Sequence, residues 1–383
     1  PGSLTVKSAK SVQLEQGSLT VEATGQGSAG SLTINTPQLA LNQGSEISAS
    51  TNSGQGGDIA LQKLNTLEVN NSRISASTQT GQAGSLNIDA RESVQLSGEG
   101  GLSVEATEGG GAGNLTLETG ELTIEDGAEI TVSGCESLDL CSGQAGNIDI
   151  TANSLLMNRG FITAETGVGT AEGGANINLN VPASWLMGNE SLISATAFGN
   201  ANGGNIAIDT RFLVVLSPEG PKGSDIIANA VFGNGGQINI SAVGLLGIEF
   251  RANPTPFNDI TASSQFGRQG VVNINTAGID HTRGLDNLPE TTVDPQIDQG
   301  CSASGGRANV TFFDMGRGGS PPSPDELLSP DLLITSDLIP FEVEQKNDLV
   351  LAPEVFTTAT QLRLPCGVKR AEEQESRGAG EKK

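Results

Sequence analysis

The sequence predicts an all-β chain wound as a right-handed parallel β-helix of about ten coils, ending in an irregular C-terminal cap. Three observations predict it. A glycine followed by two aliphatic residues in alternation recurs at Gly2, Gly30, Gly57, Gly84, Gly113, Gly146, Gly174, Gly204, Gly236 and Gly270, at spacings of 27 to 34 residues. Apolar residues inside each repeat alternate with period two, the strand signature. The composition suits a thin aliphatic core, with 52 glycines in 383 residues, 3% aromatics and no Tyr.

The first run of each repeat follows the anchor glycine, as in Gly30-Ser31-Leu32-Thr33-Ile34, Gly84-Ser85-Leu86-Asn87-Ile88 and Gly146-Asn147-Ile148-Asp149-Ile150. Gly174 carries one extra residue before Ile177 and Leu179. Residues between the apolar pair (Thr5, Thr33, Asn87, Thr116, Asp149, Asn178, Asn239, Asn273) are expected to face water. A second run is aliphatic-x-aliphatic: Leu39/Leu41, Leu67/Val69, Val94/Leu96, Leu122/Ile124, Leu155/Met157 and Leu213/Val215. The third is Ile-x-Ala, at Ile47, Ile74, Ile162, Ile193 and Ile260. Three short strands cannot bury their apolar side alone. Stacked at ~4.8 Å they form continuous ladders, and ten coils span on the order of 50 Å. The anchor glycines are expected to sit at corners with positive φ. The Asn, Ser, Asp or Gln that usually follows can pass hydrogen bonds from corner to corner. A leucine-rich repeat lacks its consensus here, and an antiparallel sandwich leaves the recurring order of three runs unexplained.

Charge removes several functions. Lys plus Arg number 20 and Asp plus Glu 44, a net charge of −24, so nucleic acid and anionic membrane surfaces are repelled. No apolar run approaches the ~18 residues of a membrane span. Pro1-Gly2-Ser3-Leu4 shows no signal-peptide pattern, and the chain starts in mid-repeat; the targeting sequence is expected upstream.

Repeats occupy 1–276. Residues 277–300 read as a linker or cap and 301–368 as a cover for the open sheet edge. The charged stretch 369–383 is expected to be disordered. Cys135 and Cys141 flank an insert in the longer repeat, and Cys301 and Cys366 flank the cover. Four cysteines allow three pairings. The expected pairs staple one projecting loop and close the tail, contributing roughly 2 and roughly 4 kcal/mol. Zinc is the alternative, without the usual CxxC pairs or a nearby His.

Two repeated motifs, Gly81-Gln82-Ala83-Gly84-Ser85-Leu86-Asn87-Ile88 (again from Gly143 to Ile150) and the stretch from Gly44 to Thr51, resemble the large filamentous-haemagglutinin-like exoproteins of cyanobacterial type. So does the ending Gln299-Gly300-Cys301 with Gly316-Arg317-Gly318-Gly319-Ser320-Pro321-Pro322-Ser323-Pro324. The resemblance covers roughly residues 1–345. It implies a secreted, cell-surface adhesin associated with the outer membrane. It also implies export by a two-partner outer-membrane transporter that acts through an N-terminal domain this sequence lacks. The aromatic run usual after the Pro-rich ending is worn here to Glu342-Val343-Glu344-Gln345-Lys346. The surface or glycan receptor is not specified.

The residue inventory points away from chemistry. No catalytic or cofactor-binding residue is assigned, and no cofactor is expected. A polysaccharide lyase or hydrolase of pectin-lyase-like shape would need clustered carboxylates with a basic partner. Asp58 and Asp149 share a type of corner, and Asp225 and Asp259 precede third strands without a defined basic partner. Three carboxylates with a Lys or Arg in one groove would favour that enzyme. Lone His281 falls in the linker, and Trp185 takes a core position rather than that of a sugar platform. A calcium-dependent glycan-binding module is a third reading, although the calcium nonapeptide is absent and no metal ligand is assigned.

Overall fold

A computed structural model describes residues 2–25, 27–134, 143–167 and 174–276. Every regular element among them is a strand, and every named strand pair is parallel. The expected solenoid is therefore present, with its coils stacked in register. Both Cys pairs, His281 and the segments expected as linker, cap and tail lie outside the described residues.

The first and second runs share one 13-stranded sheet, and the third runs form a 10-stranded sheet. The expected three separate strands are present in the first two coils and in the coil of Asn176–Val181, Ser184–Gly188 and Leu192–Ser194. In most of the other coils the first two runs fuse into one bent strand, as in Leu86–Ser97 and Leu115–Glu125. The bend needs local irregularity: Lys63 takes a positive φ of 60°, and the register slips between Thr119 and Glu121.

Register holds from coil to coil. Leu86, Leu115, Ile148, Ile177 and Ile206 align in one column, and Ile88, Leu117, Ile150, Leu179 and Ile208 in the next. Ile34, Ile88 and Ile150 are 0%, 3% and 2% exposed. Met157, Met187 and Val215 continue the second-run column, and Ile130, Ile162, Ile193 and Ile226 the third. Like side chains over like give the dense, thin interior that the composition requires. Trp185 lies in this interior, 1% exposed, and its indole nitrogen has no hydrogen-bond partner.

The anchor glycines are needed for a different reason from the one the sequence suggested. None of them has positive φ. Instead, a Cβ on Gly113 or Gly146 would strike the carbonyl oxygen of the anchor one coil before it, Gly84 or Gly113. Close stacking of coils selects glycine here. Most positive φ falls at the corner between the second and third runs, on glycines such as Gly44, Gly98 and Gly127 and also on Gln16, Gln43, Asn71, Asp126, Arg159, Asn189 and Glu190.

The position after each anchor does pass bonds between coils. Asn147 donates through its side chain to Asn114 Oδ1 at 3.2 Å, Asn176 to Asn147 Oδ1 at 2.8 Å, and Asn205 to Asn176 Oδ1 at 2.8 Å. A second polar ladder enters just before the third run, where Ser45, Ser72, Ser191, Ser224 and Asn258 are all buried. Ser191 N–H donates to Ser224 Oγ at 3.1 Å, and Ser224 N–H to Asn258 Oδ1 at 2.8 Å.

The last third-run strand, Asp259–Thr261, does not end bare. Glu249–Phe250 pairs along it in parallel, so a loop of the same coil adds a short strand on its outer side. Arg251 lies across this junction and pairs with Asp259, which is 0% exposed.

Candidate functional site

Among the described residues, the outer face of the third sheet brings charged and hydroxyl side chains of successive coils together. A side chain every second residue points outward, so each coil contributes three columns. The first column reads Arg73, Gly101, Glu129, Phe161, Leu192, Asp225 and Asp259. The second reads Ser75, Ser103, Thr131, Thr163, Ser194, Ile227 and Thr261. Ser103 Oγ donates to Ser75 Oγ at 3.0 Å, and Thr163 Oγ1 to Thr131 Oγ1 at 3.0 Å. These hydroxyls are recessed: Ser103 is 1% and Thr131 5% exposed.

Glu129 in the first column and Glu105 and Glu165 in the third flank this hydroxyl column. Burial pushes the carboxyl of each above the ordinary range. Arg73 opposes the shift at Glu105 and Glu129, while the charge of Glu129 reinforces it at Glu105 and Glu165. Arg73 reaches Glu129 at 3.5 Å, passing over Gly101, which has no side chain to block it. Ser133 and Glu165 are engaged as well. Three carboxylates and one guanidinium thus interact on one face. Among the described residues no three acidic, His or Cys groups are grouped closely enough to hold a metal ion.

Further along the same face is a cavity of about 470 Å3. Phe161, Leu192 and Ile227 form its floor, and Asp126, Arg159, Glu190, Lys222 and Asp225 its rim. The positive-φ corner supplies three of the rim residues, because Asp126, Arg159 and Glu190 all take left-handed backbone there. Asp126 and Arg159 pair across adjacent coils at 3.9 Å. Asp225 accepts from the Asp259 N–H at 2.8 Å, and burial, first among several influences, raises its carboxyl above the ordinary range.

The carboxylates singled out from sequence are distributed differently. Asp58 follows an anchor glycine and accepts Ser85 N–H and Oγ, both at 2.8 Å. Asp149 lies one column further along, level with Thr116, and accepts the Asn178 side chain at 2.6 Å. They therefore do not share a corner. Asp225 and Asp259 are neighbours as expected, but Asp259 does have a basic partner, Arg251. Thr255 also donates to Asp259, from its N–H and from Oγ1, the latter at 3.0 Å. Asp259 thus completes the end of the sheet, while Asp225 also lines the cavity.

Sequence reading missed Glu105, Glu129, Glu165 and Phe161. The signal was present in the third run, where Leu102-Ser103-Val104-Glu105 and Phe161-Ile162-Thr163-Ala164-Glu165 place them on the outward parity. Trp185 is in the core, as expected, and Phe161 is a partly buried aromatic side chain on the outward parity of the third run. No protein family matches the chain, and neither a curated protein nor a solved structure matches it.

Proposed function

We propose that this chain is the stalk of a secreted, surface-displayed fibrous exoprotein of the filamentous-haemagglutinin-like kind, serving attachment and not catalysis. The observation that supports the reading most is the uninterrupted stacking of the interior columns from Leu4 to Val272. A column of that regularity makes a stiff spacer whose outer faces remain available for contact. The Gly- and Asn-rich bends and the repeated motifs fit the same reading. Export through an outer-membrane partner belongs to the proposal.

Protease shaving of intact source cells tests it, with an antibody against the chain. Loss of signal without lysis supports surface display; a signal that disappears only after lysis refutes it. Beads coated with the purified chain should then adhere to whole cells or their extracellular matrix. A second reading, a polysaccharide-active enzyme, is favoured by Glu105, Glu129, Glu165 and Arg73 interacting on one face. Release of reducing or unsaturated ends from a panel of polysaccharides, abolished by Glu129→Gln, would establish it. A panel without product would leave attachment alone.

A further inference from the structure

We infer that the cavity over Phe161, Leu192 and Ile227 is a binding site for a neutral or amino-bearing glycan strand laid along the stacking axis. This deepens the attachment reading by naming the contact surface and the sugar class, and it rests on that reading only for its biological purpose. The floor is small and apolar, one aromatic ring beside two aliphatic side chains on successive coils. A pyranose ring has one weakly polar face that suits an aromatic surface, with hydroxyls around its edge. The rim supplies matching groups: Asp126, Glu190 and Asp225 accept, while Arg159 and Lys222 donate.

The backbone speaks against a peptide occupant. Strand addition needs an unpaired edge, and here the peptide groups are spent on the neighbouring coils. An amphipathic helix needs a long apolar groove, whereas this floor is three residues within a charged rim. Charge then selects among sugars. The rim carries three carboxylates against two cations, and Glu129 stands immediately beyond Phe161 in the same column. Uronate and sulfated chains meet net repulsion, in a protein already at −24. Neutral sugars do not, and a free amino group gains.

Glycan hexamers and the full chain test the inference by calorimetry. The probes are cellohexaose, the hexamer of glucosamine, its N-acetylated form and hexagalacturonate. The expected result is saturable binding of at least one neutral or amino-bearing probe and none of hexagalacturonate. Phe161→Ala should weaken it at least tenfold. Asp225→Asn, which keeps an oxygen for the Asp259 N–H, should weaken the glucosamine hexamer more than the neutral probe. Asn180→Ala, on the first sheet, should change nothing. Circular dichroism of each variant keeps a folding defect from passing as a binding defect. Binding indifferent to Phe161→Ala in a folded protein, preference for hexagalacturonate, or no binding by the folded wild type overturns the site. If coated beads still adhere while glycan binding is absent, the site fails and attachment stands. If glycans bind and the chain is never surface-exposed, attachment fails and the site stands.

Discussion

A single methyl group at an anchor glycine tests the stacking most sharply. Gly146→Ala places a Cβ against the Gly113 carbonyl, and backbone cannot yield there as a flexible side chain would. It should cost about 2–4 kcal/mol, read as a lowered denaturation midpoint at constant slope. Trp185 gives the opposite test. Its unpartnered indole N–H lies in an apolar interior. Trp185→Phe removes that polar group and should fall within about 1 kcal/mol of wild type, whereas Trp185→Ala should cost about 3–5. The carboxylates add a pH dependence. Glu105, Glu129 and Glu165 are raised by burial, so the folded state holds their protons more tightly than the unfolded chain does. Stability should therefore fall as pH rises from the ordinary carboxylate range through their raised values, and be greatest on the acid side of that window. Denaturant titrations at several pH values check this, and Glu105→Gln should remove part of the slope. Individual residues were only partly legible in the sequence. Spacing identified the anchor glycines, but their cause, a carbonyl one coil away, is a contact between residues far apart in the chain. Positive φ at Asp126, Arg159 and Glu190 left no trace at all, since none is a residue type that advertises it except weakly Asp.

At the scale of the element, period-two alternation was enough to place all three runs and to say which side faced inward. It did not show that the first two runs would fuse, because the bend at Lys63 or Gly120 is a local backbone irregularity with no apolar signature. Nor did it show that the third sheet's outer face would be recessed. Ser75, Ser103 and Thr131 look like ordinary solvated positions until the neighbouring coils are set around them. The edge strand Glu249–Phe250 was equally hidden, being too short to carry a pattern. Its hold on the sheet is testable. Arg251→Ala leaves Asp259 buried without its cation and should cost about 3 kcal/mol or somewhat more. Hydrogen exchange should rise around 247–262 and stay unchanged around 30–60, since coils couple chiefly to their neighbours.

The protein as a whole is highly acidic, and most of that charge is on the surface, Asp259 being a buried exception. Added sodium chloride screens the self-repulsion and should raise the melting temperature by about 2–4 °C, the shift ~1 kcal/mol produces in a domain of this size. A fall in melting temperature would mean that ion pairs such as Arg73–Glu129 outweigh the repulsion. The fixed register has one further consequence, for protein engineering. Residue 83 is Ala before Gly84, and residue 112 is Ala before Gly113, so deleting 84–112 recreates a natural Ala-Gly junction. Leu115 would then lie beside Ile59, and Glu129 directly beside Arg73, each in the column it already occupies. The molecule can in this sense be shortened like a stack of coins, one disc removed and the faces on either side still matching.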